Sequence, residues 1–358
     1  RAATLLAGLA LFAPLAAPLR AERPRRRLHR SWRRRRLAAC DATASAVSLP
    51  GTRRPRKRVR PGTVSAVREV PPGIAKPHYC KFSGLKLGPV DGLPWHPYME
   101  TIEIKPPEKV QAMREAGALA REALEVAGRA VAPGVTTDAI DAVVHDFIVA
   151  RGAYPSPLGY AGFPKSSSTS VNDIIAHGIP DDRPLEDGDI LNIDLTVFLG
   201  GCHGDTSSMF YAGTPEPRDL RLCRATHRAT LAGIEACGPG ADFREVGRRI
   251  QAVADEAGYH ICDVFVGHGI GTYFHGAPEV YPYANDVDQG VMRPGMTFTV
   301  EPILVEDGDE NYLEWDDGWT IQSATSARSA QFEHTILITE DGHELLTGPP
   351  VDFEANLA

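Results

Sequence analysis

The sequence predicts a mixed α/β (α+β) domain of two similar halves, and three observations predict it. Two pairs of helical patterns alternate with two sets of β-rich runs after about residue 107, in the order helix pair, strands, helix pair, strands. With 43% hydrophobic and 23% charged residues, the chain has the composition of an ordinary globular protein, which excludes wholesale disorder and a multi-span membrane protein. The six cysteines are dispersed and form no C-x-x-C pair, so no disulfide framework or zinc ribbon organises the fold, and a reducing compartment is expected.

Charge divides the 358 residues before any element is placed. Positions 1–68 hold 17 Arg and one Lys against two acids, whereas the rest of the chain carries 20 bases against 44 acids. A basic stretch beside an acidic body reads as a tail or an address. Residues 2–19 are uncharged and apolar, about long enough to span a bilayer, although Gly8, Pro14 and Pro18 weaken that reading. The tracts RAERPRRRLHRSWRRRR and TRRPRKRVR follow. An apolar run, then Arg-rich, acid-poor, hydroxyl-containing chain, is the composition of a targeting presequence over 1–68, largely disordered and removed on import into a plastid or mitochondrion rather than kept in the cytoplasm. The rival readings are a membrane anchor and a basic arm that binds nucleic acid or ribosome. The acidic body argues against nucleic acid as its partner, and no stable membrane insertion of the mature form is expected.

Residues 69–106, rich in Pro and Gly, read as a linker wrapping a surface. Pro107 then opens an amphipathic helix through Val110, Met113, Ala116, Ala120 and Leu124 to about Val131, closed by Pro133 and Gly134. Thr137 is expected to cap the second helix, DAIDAVVHDFIVA, which Gly152 and Pro155 end. Two further helices are expected over 217–237 and 243–257, and strands over ILNIDLTVFL, CHGDTSSMFYAG, MTFTVEPILV and AQFEHTILIT. These elements fill a principal domain at 107–348 and leave 349–358 as a tail.

The first two strand runs carry the acids that matter. Alternation puts Leu191, Ile193, Leu195 and Val197 on one strand face and Asn192, Asp194 and Thr196 on the other. If Gly200-Gly201 is a two-residue hairpin turn, Asp194 faces Ser207 and Thr196 faces Asp205. Asp194 and Asp205 then share a face as diagonal neighbours roughly 7–8 Å apart, near enough to share ions in a two-metal site. Taken alone, the pair reads more simply as solvent-facing hairpin acids. Glu301 and Glu333, however, each interrupt an apolar strand, where an acid is costly unless paired or metal-bound. His268 and His177 lie beside glycines and His275 follows in YFHG, while His203, His227, His260, His334 and His343 read as structural or surface. Four carboxylates and a histidine suit Mn, Fe, Co or Zn in a dinuclear site better than a structural zinc.

From about Pro107 to Thr347 the sequence resembles the type I methionine aminopeptidases, in particular the organellar kind without an N-terminal zinc finger. The motifs that carry the resemblance are GYAGFPKSSSTSVNDIIAHGIP, DGDILNIDLTVFLGGCHGDTS, FVGHGIGTYFHGAP, MRPGMTFTVEP, DDGWT and SAQFEHTILIT. It implies the pita-bread fold, pseudo-two-fold halves of antiparallel strands covered by helix pairs. It implies that Asp194, Asp205, His268, Glu301 and Glu333 bind two divalent ions, that Glu301 also shuttles a proton, and that His275 and His177 act on the tetrahedral oxyanion and the scissile amide. It further implies a methionine pocket of Tyr160, Phe163, Ser168, Phe274 and Trp319, and removal of the initiator methionine from nascent chains with a small second residue by attack of a metal-activated water. The expected partner is the N-terminal Met of nascent polypeptides, met near the ribosome by a monomeric enzyme.

Ser168, Ala176 and Asp173 depart from the family's usual Cys, Cys and Glu, which bears on the fine shape of the pocket rather than on the ligands. The loop LVEDGDENYLEWDD is expected to be exposed. The alternatives are an Xaa-Pro aminopeptidase or dipeptidase on the same fold, and a peptide-binding relative without turnover. Glu301 and Glu333 are only 32 residues apart, which leaves no room for the long insertion of type II enzymes.

Overall fold

The computed structural model describes residues 56–82, 97–307 and 311–355. The apolar run and most of the expected presequence lie outside the described residues, as do positions 83–96 of the linker. Among the described residues no helix is long and apolar enough to cross a membrane.

Helix α1 (Pro107–Arg129) buries Val110, Met113, Ala116, Ala120 and Leu124 along one stripe, and Pro107 supplies the fixed φ of its first turn. Helix α2 (Thr137–Ala150) is capped one residue earlier than expected. Thr136, not Thr137, accepts the amide of Ala139 at 3.1 Å. The hydroxyl of Thr137 is instead engaged by the Asp181 amide, which it accepts at 2.9 Å. Short strands β1 (Tyr154–Pro155), β2 (Ser168–Val171) and β3 (Ile174–Ala176) lead into a long hairpin, β4 (Asp189–Leu199) and β5 (Cys202–Ala212). The second helix pair is α3 (Pro217–Glu235) and α4 (Arg244–Ala257), close to the expected bounds. Then follow β6 (His260–Ile261), β7 (Gly267–Gly269), β8 (Gly276–Val280), β9 (Thr297–Val300), β10 (Ile303–Val305), β11 (Tyr312–Glu314), β12 (Ile321–Ser323), β13 (Ser329–Gln331), β14 (Glu333–Ile338) and β15 (His343–Leu345).

The large sheet runs β1-β4-β5-β14-β9-β7-β8, with β2 on β4 and β15 on β14; two three-stranded sheets, β13-β10-β6 and β11-β12-β3, complete the fold. Gly200 and Gly201 have φ of 59° and 84°, the left-handed pair that a two-residue hairpin needs, and Asp194 stands opposite Ser207 and Thr196 opposite Asp205. Two expected strands are split. MTFTVEPILV breaks at Glu301-Pro302 into β9 and β10, because Pro302 has no N–H for the ladder, and AQFEHTILIT breaks at Phe332 into β13 and β14. At both breaks the chain passes between the large sheet and a three-stranded one, so Glu301 and Glu333 stand at crossing points.

Each half has its own core. Leu191, Ile193, Leu195 and Val197 of β4 pack with Leu124 of α1 and Ile140 and Ile148 of α2. Phe298, Val300, Ile336 and Ile338 pack with Leu222, Val246 and Ile250 of α3 and α4. Each such side chain contributes roughly 1.5–3 kcal/mol on burial. Helix α1 lies so near the hairpin that a Cβ on Gly204 would sit 2.4 Å from the backbone nitrogen of Gly117.

The compact unit that carries the site takes in the described residues from Arg56 onward. Arg56 pairs with Asp219 at 2.6 Å and Glu306 at 2.7 Å, so part of the basic stretch finds its counter-charge on the acidic body. The expected acidic loop is partly ordered as β11, paired with β12, and its Glu306 is half-buried against Arg56.

Candidate metal centre

The side chains of β4 left over from the core are polar and define the site face. Pairing carries that face across the sheet: Ser168 of β2 stands opposite Asp194, Asp194 opposite Ser207 of β5, and Ser207 opposite Glu333 of β14. Opposed residues project to the same side, so Ser168, Asp194, Ser207 and Glu333 form one row, with Asp205 two residues along β5 on the same face. Thr335 faces Thr299, which brings Glu301, two residues on, to that side. Gly269 pairs with Phe298 on the opposite side, so His268 falls with Thr299. The five candidate ligands thus arrive from strands remote in sequence.

The Nε2 of His268 lies 3.7 Å from Asp205 Oδ2 and 3.6 Å from Glu301 Oε1. One ligand atom each from Asp205, His268 and Glu333 fall within 4.8 Å of one another. Neighbouring hydroxyls orient the acids: Thr196 Oγ1 donates to Asp205 at 2.6 Å and Thr299 Oγ1 to Glu301 at 2.7 Å, while Gln331 Nε2 donates to Glu301 at 3.3 Å. With Nδ1–H donating to the Gly269 carbonyl at 3.2 Å, the lone pair of His268 Nε2 faces the carboxylates.

Burial pushes Asp194 up to about 7 and Glu301 up to about 8, and raises Asp205 and Glu333 well above the carboxylate range, with repulsion between the acids adding to it. Burial lowers His268 to about 4, which keeps the imidazole neutral at pH 7. Among the described residues no Lys or Arg is ion-paired with any of these acids, and the buried Oγ of Ser207, between Asp194 and Glu333, has no hydrogen-bond partner. Four mutually repelling carboxylates and one neutral imidazole are a donor set for divalent cations, which would supply the missing positive charge.

The remaining candidates form two groups of rings. Phe274 packs on Tyr160 at 4.7 Å and on His275 at 4.2 Å between centroids, and His275 lies 4.1 Å from His268. The Tyr160 hydroxyl is 2.7 Å from His275 Nδ1. In the other group Trp319 meets Phe163 edge-on at 5.2 Å and His177 at 5.8 Å. His177 has a φ of 56°, a conformation that costs a non-glycine residue on the order of 1–3 kcal/mol and often marks a functional position. Burial lowers its pKa to about 4. Ser168 joins neither ring group; it is buried in the row with Asp194.

Of the supports, Thr196 was already set opposite Asp205 by the hairpin register, whereas Thr299 was missed although period-2 alternation puts it on the face of Glu301. His203, taken as structural or surface, is buried and stacks on Phe274 at 5.3 Å, 11° from parallel, and nothing local in the sequence signals that contact.

An antiparallel α/β domain of two halves, with a buried acidic centre and one imidazole between them, defines a metal-dependent hydrolase; the chain belongs to metallopeptidase family M24, whose model matches residues 111–340. It is 47% identical over 292 residues to methionine aminopeptidase 1D, chloroplastic/mitochondrial, of Arabidopsis thaliana, covering 82% of this chain and 80% of that protein. To the mitochondrial methionine aminopeptidase 1D of Homo sapiens it is 45% identical, covering 82% of this chain and 84% of the other. The crystal structure of methionine aminopeptidase from Rickettsia prowazekii superposes with a TM-score of 0.67 at 42% identity, covering 69% of this chain and 100% of that one. The fold is the pita-bread fold expected from the resemblance, and the aminopeptidase activity and organellar address read from the sequence are those of these relatives.

Proposed function

We propose that the protein removes the initiator methionine from nascent polypeptides with a small second residue, in a plastid or mitochondrion and close to the ribosome, as a monomer using two divalent ions held by Asp194, Asp205, His268, Glu301 and Glu333. One observation carries the reading: four acids, Asp205 and Glu333 buried and Asp194 and Glu301 half-buried, and one neutral imidazole converge from separate strands on a single face without a cationic side chain of the described residues among them. Ions of the Mn, Fe, Co or Zn kind, when bound there, supply a lowered water pKa and polarisation of the peptide carbonyl.

The chain's own groups do the rest. Asp194, across Ser207 from Glu333 in the row, is assigned to the side of the centre that takes the substrate's free α-amine, which would restrict cleavage to the chain's first residue. Glu301, 3.6 Å from His268 Nε2 and held by Thr299 Oγ1, is assigned to take and return the proton. Tyr160 hydroxyl donating to His275 Nδ1 leaves the Nε2–H of that ring to donate to the oxyanion of the tetrahedral intermediate. His177, held by its left-handed backbone against Trp319, contacts the scissile amide. Phe163, Tyr160, Phe274 and Trp319 present aromatic faces suited to a thioether, while Ser168 lies in the row beside Asp194.

The test is a peptide assay with purified enzyme, Met-Ala-Ser against Xaa-Pro peptides, for each of the four ions, with metal content by mass spectrometry. Methionine release and two ions per chain are expected. Release from Xaa-Pro peptides only would establish the prolidase-type alternative, and no release with any ion would reduce the protein to a binder.

A further inference from the structure

The stretch from Arg56 to Tyr79 makes more directed contacts with the body than a linker requires. At its start the Arg56 guanidinium bridges Asp219 and Glu306, and Arg328 reaches the other oxygen of Asp219 at 2.5 Å. Val59 is buried, and its backbone is used on both sides: its N–H donates to Asp173 Oδ1 at 3.1 Å and its carbonyl accepts from Gln322 Nε2 at 2.9 Å. The same Gln322 nitrogen also donates to Asp173 Oδ2 at 3.0 Å. Arg58 donates to the Ser323 carbonyl at 3.0 Å and to Ser326 Oγ at 3.2 Å. Further on, the Gly62 amide donates to Asp181 at 2.7 Å, Thr63 and Asp182 exchange two hydrogen bonds, and Ser65 donates to Asp138 at 2.7 Å.

These attachment points are not spread at random. Asp173 immediately precedes β3, which His177 follows, and Gln322 lies in β12, shortly after Trp319; Ile321 of β12 pairs with Ala176 of β3. The sheet that carries both pocket residues consists of three strands of three residues each, too short to be stable alone. Val59 ties the start of the edge strand β3 to the inner strand β12. At the other end of the stretch, Tyr79 is buried, donates to the Ser156 carbonyl at 2.6 Å, and stands edge-on to the Tyr160 ring at 5.0 Å. Tyr160 is the residue whose hydroxyl meets His275.

We propose that residues 56–79 are a retained strap that positions both ring groups of the methionine pocket: Arg58 and Val59 behind His177 and Trp319, and Tyr79 behind Tyr160 and His275. Whatever is removed on import therefore ends before Arg56, and the short Asp173 is the anchor that receives the strap. These are positioning residues; none touches the substrate. The inference rests on the proposed methionine aminopeptidase function for its kinetic arm only.

The test uses the full chain. Arg58→Ala and Tyr79→Leu are expected to raise KM for Met-Ala-Ser by about fivefold or more, with kcat within about twofold and metal content unchanged. Both should speed backbone hydrogen exchange over 160–163 and 174–177, where Tyr79→Phe, which keeps the ring, restores slow exchange and the low KM. Arg60→Ala, at an exposed strap position, should leave all readouts unchanged. Wild-type KM and exchange in both variants would overturn the proposal, and if Tyr79→Leu does not fold, Arg58→Ala decides. A wild-type chain that releases no methionine defeats the functional reading instead and leaves hydrogen exchange to judge the strap. Import into isolated organelles should yield a mature chain that begins at or before Arg56; an active mature chain that begins later would overturn it.

Discussion

Stripping the ions from the centre should convert its acids into a pH-dependent weakness of the fold. Asp194 is held at about 7 against 3.8 for an ordinary aspartate. Because the folded value is the higher one, the folded chain binds more protons than the unfolded chain between the two, and stability falls as pH rises through that window. At about 1.4 kcal/mol per pH unit, the coupled acids together cost the metal-free fold on the order of several kcal/mol by neutral pH. Glu301, raised from 4.5 to about 8, carries the same loss on toward pH 8. Bound cations reverse the sign of the local field, and ions at about 100 times their Kd add roughly 2.7 kcal/mol of their own. Urea midpoints of chelator-treated and Mn-loaded protein, taken from about pH 5 to about pH 8, measure this. The metal-free midpoint should fall steadily across the range, and the loaded one should stay nearly level. A metal-free midpoint that is level or rises would mean that the acids are not held protonated by burial, and the account of the centre would fail.

Other expectations are smaller in scope. His275→Ala should leave two ions bound and lower kcat by roughly 10²–10³-fold, the usual loss of an oxyanion donor; near-normal turnover would remove it from that role. Tyr160→Phe keeps the ring wall and loses the bond to His275 Nδ1, so steady-state kinetics should show a fall in kcat of about tenfold with KM little changed. Gly204→Ala forces a Cβ against the Gly117 backbone and should lower stability by at least ~1–3 kcal/mol in chemical denaturation, since α1 cannot back away without opening its core. Thr136→Ala should cost about 1 kcal/mol by the same measurement, whereas Thr137, placed at the cap by sequence reasoning, should not behave as one.

Much of the site was legible because β-structure has period 2 and glycine pairs mark tight hairpins. From Gly200-Gly201 alone, Asp194 and Asp205 could be set on one face and Leu191 through Val197 on the other, and the observed register is that one. The cap of α2 was misplaced by one residue because two adjacent threonines offer the same chemistry, and only the position of Asp181 separates them. The strand breaks at Pro302 and Phe332 were of unequal difficulty. Proline announces the first by lacking an N–H, while the second depends on which sheet the chain joins next.

The sequence by itself determined the class of domain, the helix pairs and the hairpin register, and picked out the candidate acids, since these follow from local periodicity, turn chemistry and the cost of acids in apolar strands. Tertiary structure alone decided that Glu301, Glu333 and His268 share one face with the aspartates, because that depends on the order β4-β5-β14-β9-β7, which no local pattern encodes. It also showed that the end of the basic stretch is built into the body. Charge counting drew the line near residue 68, but Arg56 and Arg58 meet acids and carbonyls more than 100 positions away, and counting cannot tell a charge that is solvated from one that is paired.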